Sequence, residues 1–333
     1  GIFRYLPYLS ALFVAISPWS IHMSRIAYEA NLALAIFSVA TLCFLTAVID
    51  EHASFRAKYS YLLTSALFFG LTVFTYHSYQ VLTPLMTLFL VILYRAALVK
   101  IFRTKKYLSV LPMFIFVFFI VALLLSQTSG ANQTKYGGIS ILTEKQYEQN
   151  LFVQRQLIAP TDPLISKLYI SMPKMVFDRL IINVMDLVNP NFLFKTGGSH
   201  GSHNFPGVGN MFWFGLLTLP IGLFSSLLIR KRPQAVVLGW LLLSMIAPVI
   251  TTDAAHSIRF SPAILPLEII SAFGLLTLLA YFFRRNVFAY IVMSALASLV
   301  ITYSVFVFVV SYFVLFPVTG VNNWPWYMKE IVS

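Results

Sequence analysis

Long apolar runs separated by short polar segments make up most of the chain. A helix needs about 20 mainly apolar residues to cross the hydrocarbon core of a bilayer. The pattern therefore predicts nine membrane-spanning helices, at residues 5–20, 31–49, 60–76, 81–99, 107–127, 210–229, 235–252, 262–283 and 287–316. The first is short, and the last is long enough to tilt or to continue along the membrane surface.

The composition supports a membrane location. Apolar residues make up 59% of the 333 residues and charged residues only 10%, whereas soluble domains contain about 25% charged residues. So few charges cannot cover the surface of a soluble protein of this length. We therefore expect an all-α, multi-pass integral protein of the cell membrane, with the lipid bilayer around it.

The basic residues predict the orientation of the helices. The net charge of +12 is concentrated in clusters on every second connection between predicted spans: Arg4; Arg56 and Lys58; Arg95, Lys100, Arg103, Lys105 and Lys106; Arg230, Lys231 and Arg232; Arg284 and Arg285. Because cytoplasmic loops carry such an excess of Lys and Arg, this face is predicted to be cytoplasmic. The same distribution argues against nucleic acid as a partner. The single cysteine, Cys43, excludes a disulfide framework.

This orientation divides the chain into four parts. Residues 1–127 form five spans, 128–209 a large extracytoplasmic loop, 210–316 four spans, and 317–333 the start of an outer segment. Within the large loop, 163–188 has apolar residues at helical spacing, which predicts one or two amphipathic helices on the outer membrane surface. The chain begins at Gly1 without an initiator Met, so we expect a segment of a longer protein; a processed N-terminus is the alternative.

Candidate site residues lie in the short outer loops. His22, Arg25 and Glu29 follow one another at spacings of three and four, which predicts one helical face. Ionisable residues beside hydrophobic helices often mark a functional site, and these three are predicted to line a cavity that faces the large loop. The alternative is an exposed Arg25–Glu29 ion pair, which contributes about 0.3–0.5 kcal/mol.

A second group contains Asp253, His256 and Arg259, again spaced by three. Arg259 comes just before a predicted helix, where a guanidinium and free backbone N–H groups could hold a phosphate or a carboxylate. The alternative is an arginine that extends to the membrane interface. Tyr76 is either a ligand or a residue of the interfacial aromatic belt. His200 and His203 lack a carboxylate or cysteine in metal-site spacing, so we expect no metal and no cofactor.

Several segments, taken in order, resemble the GT-C class of polytopic glycosyltransferases, in particular the branch of protein O-mannosyltransferases and lipid A aminoarabinose transferases. The matching segments are Ser17-Pro18-Trp19 with Ser24-Arg25 and Glu29; Gly70-Leu71 to Tyr76 with Pro84; Asn191-Phe192-Leu193-Phe194 through His203 to Gly207; His256, Arg259 and Pro266; and Trp324 with Lys329-Glu330. The resemblance covers nearly the whole chain.

The resemblance implies transfer of a sugar from a polyprenyl-phosphate donor to an acceptor hydroxyl on a protein, a lipid or a glycan, at the extracytoplasmic face. The residues it implies for substrate binding are His22, Arg25, Glu29, Tyr76, His203, His256 and Arg259. The family's acidic catalytic base lies in its first outer loop, which is expected upstream of Gly1. Where relatives have Gly-Asp and then Arg-His in the late outer loop, this chain has Gly197-Gly198 and Ser202-His203.

Two other functional classes stay open. A transporter or lipid flippase of the cell envelope predicts charged or interrupted helices near mid-membrane, whereas the predicted spans carry few charges; Glu268 lies about two turns into its span. A non-catalytic membrane scaffold would not need the polar residues that cluster in the outer loops.

Overall fold

A computed structural model describes residues 2–103, 106–127, 141, 153, 156–157, 170–198, 203–204, 207–229 and 231–319, and all structural statements concern these residues. They contain no β-strand. The helices of four or more residues with α geometry are α1 Leu6–Ile16, α2 Pro18–Arg25, α3 Glu29–Ile49, α4 Phe55–Thr75, α5 His77–Leu93, α6 Arg95–Phe102, α7 Val110–Gln127, α8 Met172–Leu187, α9 Gly215–Leu228, α10 Arg232–Val249, α11 Ile264–Arg285, α12 Val287–Val309 and α13 Phe316–Thr319.

A helix lies at each of the nine positions where a span is predicted. Five of these are long and apolar enough to cross a membrane, and two bent pairs raise the number to seven if each pair is one span. The remaining two are α9, with 14 residues, and α4, whose first two turns carry Arg56 and Lys58. The all-helical class is thus confirmed, together with five to seven helices suited to a membrane.

Two of the predicted spans are bent. The first bends by 51° between α1 and α2, because Pro18 restricts Ser17 to an extended conformation and cannot donate a helical hydrogen bond. The fourth bends by 75° between α5 and α6 at Tyr94. No proline lies at this second bend, so the apolar pattern gives no sign of it.

Helix α11 is the centre of the packing: 67% of its most apolar stretch is buried, a larger share than in any other candidate span of the described chain. It crosses α9 at Gly222 and Gly274, where an added Cβ atom would overlap the backbone of the other helix. Beside this crossing the hydroxyls of Thr218 and Ser271 are 2.6 Å apart. Small residues allow helix backbones to approach closely in membrane bundles.

The predicted amphipathic segment 163–188 contains α8, which confirms helix at 172–187; residues 163–169 lie outside the described ranges. Helix α8 is fixed to the end of α10, because the buried Asn183 amide donates to the carbonyls of Val249, at 2.7 Å, and Thr251, at 2.8 Å. Its other face exposes Phe177 and Met185, as expected for a helix lying on a membrane surface.

Candidate functional site

Four loops meet at one end of the bundle, and we call their described residues the loop cluster: 26–28, Tyr76, 188–198 with 203–204 and 207–214, and 250–260. Trp19 links two of them, since its indole Nε1 donates to the Ser257 carbonyl at 3.0 Å and its backbone N–H to the Asn210 carbonyl at 3.2 Å. The Ser78 hydroxyl donates to the Arg259 carbonyl at 2.9 Å. These contacts bring sequence-distant candidate residues together.

Two of the predicted histidines are in contact within the loop cluster. The rings of His203 and His256 are 4.7 Å apart between centroids, and Tyr28 packs edge-on against His203 at 5.3 Å. His203 also lines a cavity of about 10 Å³ with Trp19, His22 and Asn204, which is room for about one water molecule. Of the three residues predicted to line a cavity beside the first outer loop, His22 lines this small one.

The prediction of one helical face for His22, Arg25 and Glu29 is wrong. Helix α2 ends at Arg25, and α3 begins at Glu29. Between them Ala27 has φ of +54°, a left-handed conformation that is uncommon outside glycine. As a result His22 is buried, whereas Arg25 and Glu29 are exposed and do not line the small cavity. Nor do Arg25 and Glu29 form the alternative ion pair, since Lys174–Asp178 is the ion pair found in the described chain.

Arg259 is held by neutral groups. Its NH1 donates to the Asp253 carbonyl oxygen at 2.9 Å and to the Thr251 hydroxyl at 3.2 Å. It forms no ion pair with any described carboxylate, including that of Asp253. Because a guanidinium carries five N–H donors, its NH2 and Nε groups remain for another ligand. The predicted position before a helix is confirmed: a 3-10 turn at Ser261–Ala263 leads into α11.

Tyr76 stands between α4 and α5 and interacts electrostatically with Arg259 and Glu29. Burial raises the pKa of Tyr76 well above its ordinary value, while the positive charge of Arg259 acts in the opposite direction. The phenol therefore stays protonated at neutral pH and can donate a hydrogen bond.

Asn204 holds the described start of the loop at Gly197 and Gly198, and the sequence pattern did not single it out. Its side chain bonds both backbone groups of Gly198, each at 2.8 Å, and its carbonyl accepts from the Ser257 hydroxyl at 2.6 Å. Gly197 adopts φ of +69°, which a residue with a Cβ atom rarely does. The loop is thus tied to the segment that carries His256. His200 lies outside the described residues.

Tyr312 is a second residue that the sequence pattern did not indicate. It lies in a π-helical turn, Val310–Leu315, within the last predicted span, and such turns are frequent at functional sites. Its hydroxyl is 3.1 Å from His22 Nδ1. The guanidinium of Arg25 lies 5.2 Å from the Tyr312 ring centroid and 5.0 Å from that of Phe313. The last span therefore contacts the first outer loop.

The arrangement combines two arginines, three histidines and a protonated tyrosine at one end of an apolar bundle. Such a set can bind an anion and can exchange protons with a ligand. No three His, Cys, Asp or Glu side chains of the described residues gather as metal ligands would. A comparison of the sequence with protein-family models gave no match, and a comparison with curated proteins gave none either.

Proposed function

We propose that the protein is a multi-pass protein of the cell membrane in which all nine helical segments cross the bilayer. We propose further that it is a glycosyltransferase, which moves a sugar from a polyprenyl-phosphate donor to an acceptor hydroxyl at the extracytoplasmic face. The acceptor hydroxyl belongs to a protein, a lipid or a glycan. The GT-C resemblance supplies this reaction class.

The observation that carries the proposal is the position of Arg259 and the lack of a described carboxylate beside it. Its charge is balanced by no described carboxylate, it lies two residues before Ser261–Ala263, and it is oriented by the Asp253 carbonyl and the Thr251 hydroxyl. A preoriented guanidinium at a helix start suits a phosphate group. The apolar helices below it suit the polyprenyl tail of the same donor.

In the proposed reaction the acceptor oxygen forms a bond to the anomeric carbon as the bond from that carbon to the phosphate oxygen breaks. The phosphate leaves with the electron pair, and its developing negative charge lies against Arg259. The acceptor proton passes to an acidic base of the kind that the family resemblance implies. His203, His256 and Tyr76 would bind the sugar or the phosphate, and His22 would line the small cavity beside His203.

The alternative of a transporter or lipid flippase has one observation in its favour. Glu268 is only 4% exposed inside α11, and Ser17, at the break between α1 and α2, lies beside its carboxyl group. Transporters place interrupted helices and buried acidic residues at their binding sites. Ser17 and Glu268 do not belong to the loop cluster, so we rank the transporter or flippase second.

Both functions can be tested with the full-length protein in proteoliposomes. For the first, radiolabelled polyprenyl-phosphate sugars and a mixture of acceptors are supplied outside the vesicles, and labelled product is extracted. For the second, loss of a fluorescent lipid from the outer leaflet is followed over time. Product that depends on Arg259, without lipid movement, supports the glycosyltransferase. Lipid movement that is lost in Glu268→Gln, without any product, supports the flippase and refutes the first proposal.

A further inference from the structure

A second cavity lies in the same bundle, far from the loop cluster. Its volume is about 360 Å³, within the range of small-molecule sites. It is walled by α3 to α7, and Phe44 and Leu62 mark its position. Phe44 is 15 residues from Glu29 along α3, which is roughly 22 Å at 1.5 Å per residue. The cavity therefore lies towards the opposite end of the helices from Arg259.

The lining of this cavity is that of a hydrocarbon site. Of the described residues that line it, three carry hydroxyl groups and none is ionisable; the rest are aliphatic, aromatic, proline or methionine. Met113, one of the lining residues, is 70% exposed, so the cavity reaches the surface of α7. Because well-packed interiors leave few voids larger than a water molecule, a space of this size beside lipid is expected to be filled by a lipid chain.

Helix α6 joins this apolar cavity to a charged surface. It bends 75° away from α5, and Leu98 and Phe102 on its inner face line the cavity. Lys100 is exposed on the opposite face, and the exposed Arg103 follows directly after Phe102; Arg95, which begins the helix, is exposed as well. Short helices with an apolar and a basic face lie in the membrane interface and attract anionic lipids.

The other charges at this end of the bundle leave it basic. The loop between α3 and α4 contributes Asp50 and Glu51, and the start of α4 contributes Arg56 and Lys58. The Asp50 carboxylate already accepts from the backbone N–H groups of His52, at 2.9 Å, and Ala53, at 3.1 Å. Together with α6, the described basic side chains outnumber the acidic ones, so a phosphate is favoured over a neutral or cationic head group.

We infer that this cavity binds one acyl chain of an anionic phospholipid, whose phosphate lies against Arg103 and Lys100. The occupant is a lipid of the leaflet next to α6, and it is distinct from the donor proposed for the loop cluster. The inference does not rest on the proposed glycosyltransferase activity, because it follows from the cavity lining and the charge of α6 alone.

The test is native mass spectrometry of the full-length protein, purified in a mild detergent and incubated with palmitoyl-oleoyl phosphatidylglycerol, with the phosphatidylcholine of the same chains, or with undecaprenyl phosphate. We expect one retained phosphatidylglycerol per chain. Ala66→Phe fills the cavity with a ring and should abolish retention. Arg103→Gln should retain the chain but lower the preference for phosphatidylglycerol over phosphatidylcholine about fivefold.

The matched control is Ala295→Phe, which adds the same ring at an exposed position on α12 and should leave retention unchanged. If Ala66→Phe does not fold, as judged by circular dichroism, Ala66→Leu replaces it with a smaller addition and should reduce retention. Equal retention by the wild type and the cavity variants overturns the site. Preferential binding of undecaprenyl phosphate, lost in Ala66→Phe, overturns the assignment to a phospholipid and gives the cavity to the donor tail.

Discussion

Arg259→Ala is the substitution on which the proposed reaction depends most directly. The variant removes the one positive charge that the loop at 250–260 places before α11. In the transition state the leaving phosphate gains negative charge, and a charge-assisted contact in a site shielded from water contributes about 3 kcal/mol, or roughly a hundredfold in rate. We therefore expect transfer activity to fall about a hundredfold at saturating donor.

Part of this loss would come from the two hydrogen bonds that hold the Arg259 side chain in place. Without Arg259, the Asp253 carbonyl and the Thr251 hydroxyl each lose a donor, and a hydrogen bond that involves a charged group contributes about 1.5–3 kcal/mol. Thr251→Val isolates this part, because it removes one of these partners and keeps the charge. It should lower activity only about tenfold, because the Asp253 carbonyl still accepts a hydrogen bond from Arg259. Arg259→Lys keeps the charge but loses the two parallel hydrogen bonds of a guanidinium, so its activity should lie between those of Thr251→Val and Arg259→Ala.

The assay measures sugar transfer by full-length protein in membranes at matched expression, with the donor concentration varied. Separate values of kcat and KM distinguish a contact made only in the transition state from one that binds the donor at all stages. If Arg259→Ala kept both wild-type turnover and wild-type donor affinity, Arg259 would not bind phosphate. It would then be an arginine that extends to the interface, the alternative that its sequence position leaves open.

Three further predictions follow from the fold. Gly274→Ala should lower the stability by about 1–3 kcal/mol in a detergent melting experiment, because the new Cβ overlaps the Thr218 carbonyl; Gly239→Ala, whose Cβ meets only the movable Phe89 ring, should change it much less. Tyr312→Phe removes the hydroxyl beside His22 Nδ1 and should cost about 1 kcal/mol of stability, and unchanged melting would show that this contact contributes nothing. Reporter fusions test the topology: fusions after Arg56, Lys106 and Arg232 should report a cytoplasmic location, and a fusion at Gly130 an extracytoplasmic one. Opposite results at two of these sites would refute the nine-span arrangement.

The positions of the helices could be predicted because long apolar runs in this chain leave few other options. A backbone in lipid must satisfy its own hydrogen bonds, so each run becomes a helix. The bends could not be predicted so well. Pro18 gives a local reason for the first break, but Tyr94 has no such signal, and the bend there depends on how α6 packs across the bundle.

The site was predictable only in part, for a related reason. Tyr76, His256 and Arg259 lie in short segments between apolar helices, and His203 lies in the predicted large loop. Loops at one end of a bundle are close in space. Their exact partners depend on loop conformation. The turn at Ala27, with its positive φ, separates Glu29 from α2. The spacing of polar residues does not predict such a turn. Trp324, Lys329 and Glu330, which belong to the family resemblance, lie outside the described residues.

The contact between Tyr312 and His22 could not be predicted from a local sequence pattern. It is 290 residues from His22, and in the sequence it is one aromatic residue among many in an apolar run. Tyr312 lies in the π-helical turn Val310–Leu315. Such a turn contains an extra residue and so changes the direction of the side chains in it and after it. Arg25, which helical spacing and the family resemblance assign to the site, contacts this same turn, since its guanidinium lies over Tyr312 and Phe313. A cation over two rings is partly neutralised by their negative faces, whereas Arg259 lies against two neutral oxygens and no carboxylate of the described chain. Of the two arginines, Arg259 therefore has the greater capacity to bind a phosphate, and Arg25 the greater part in joining the last span to the first outer loop.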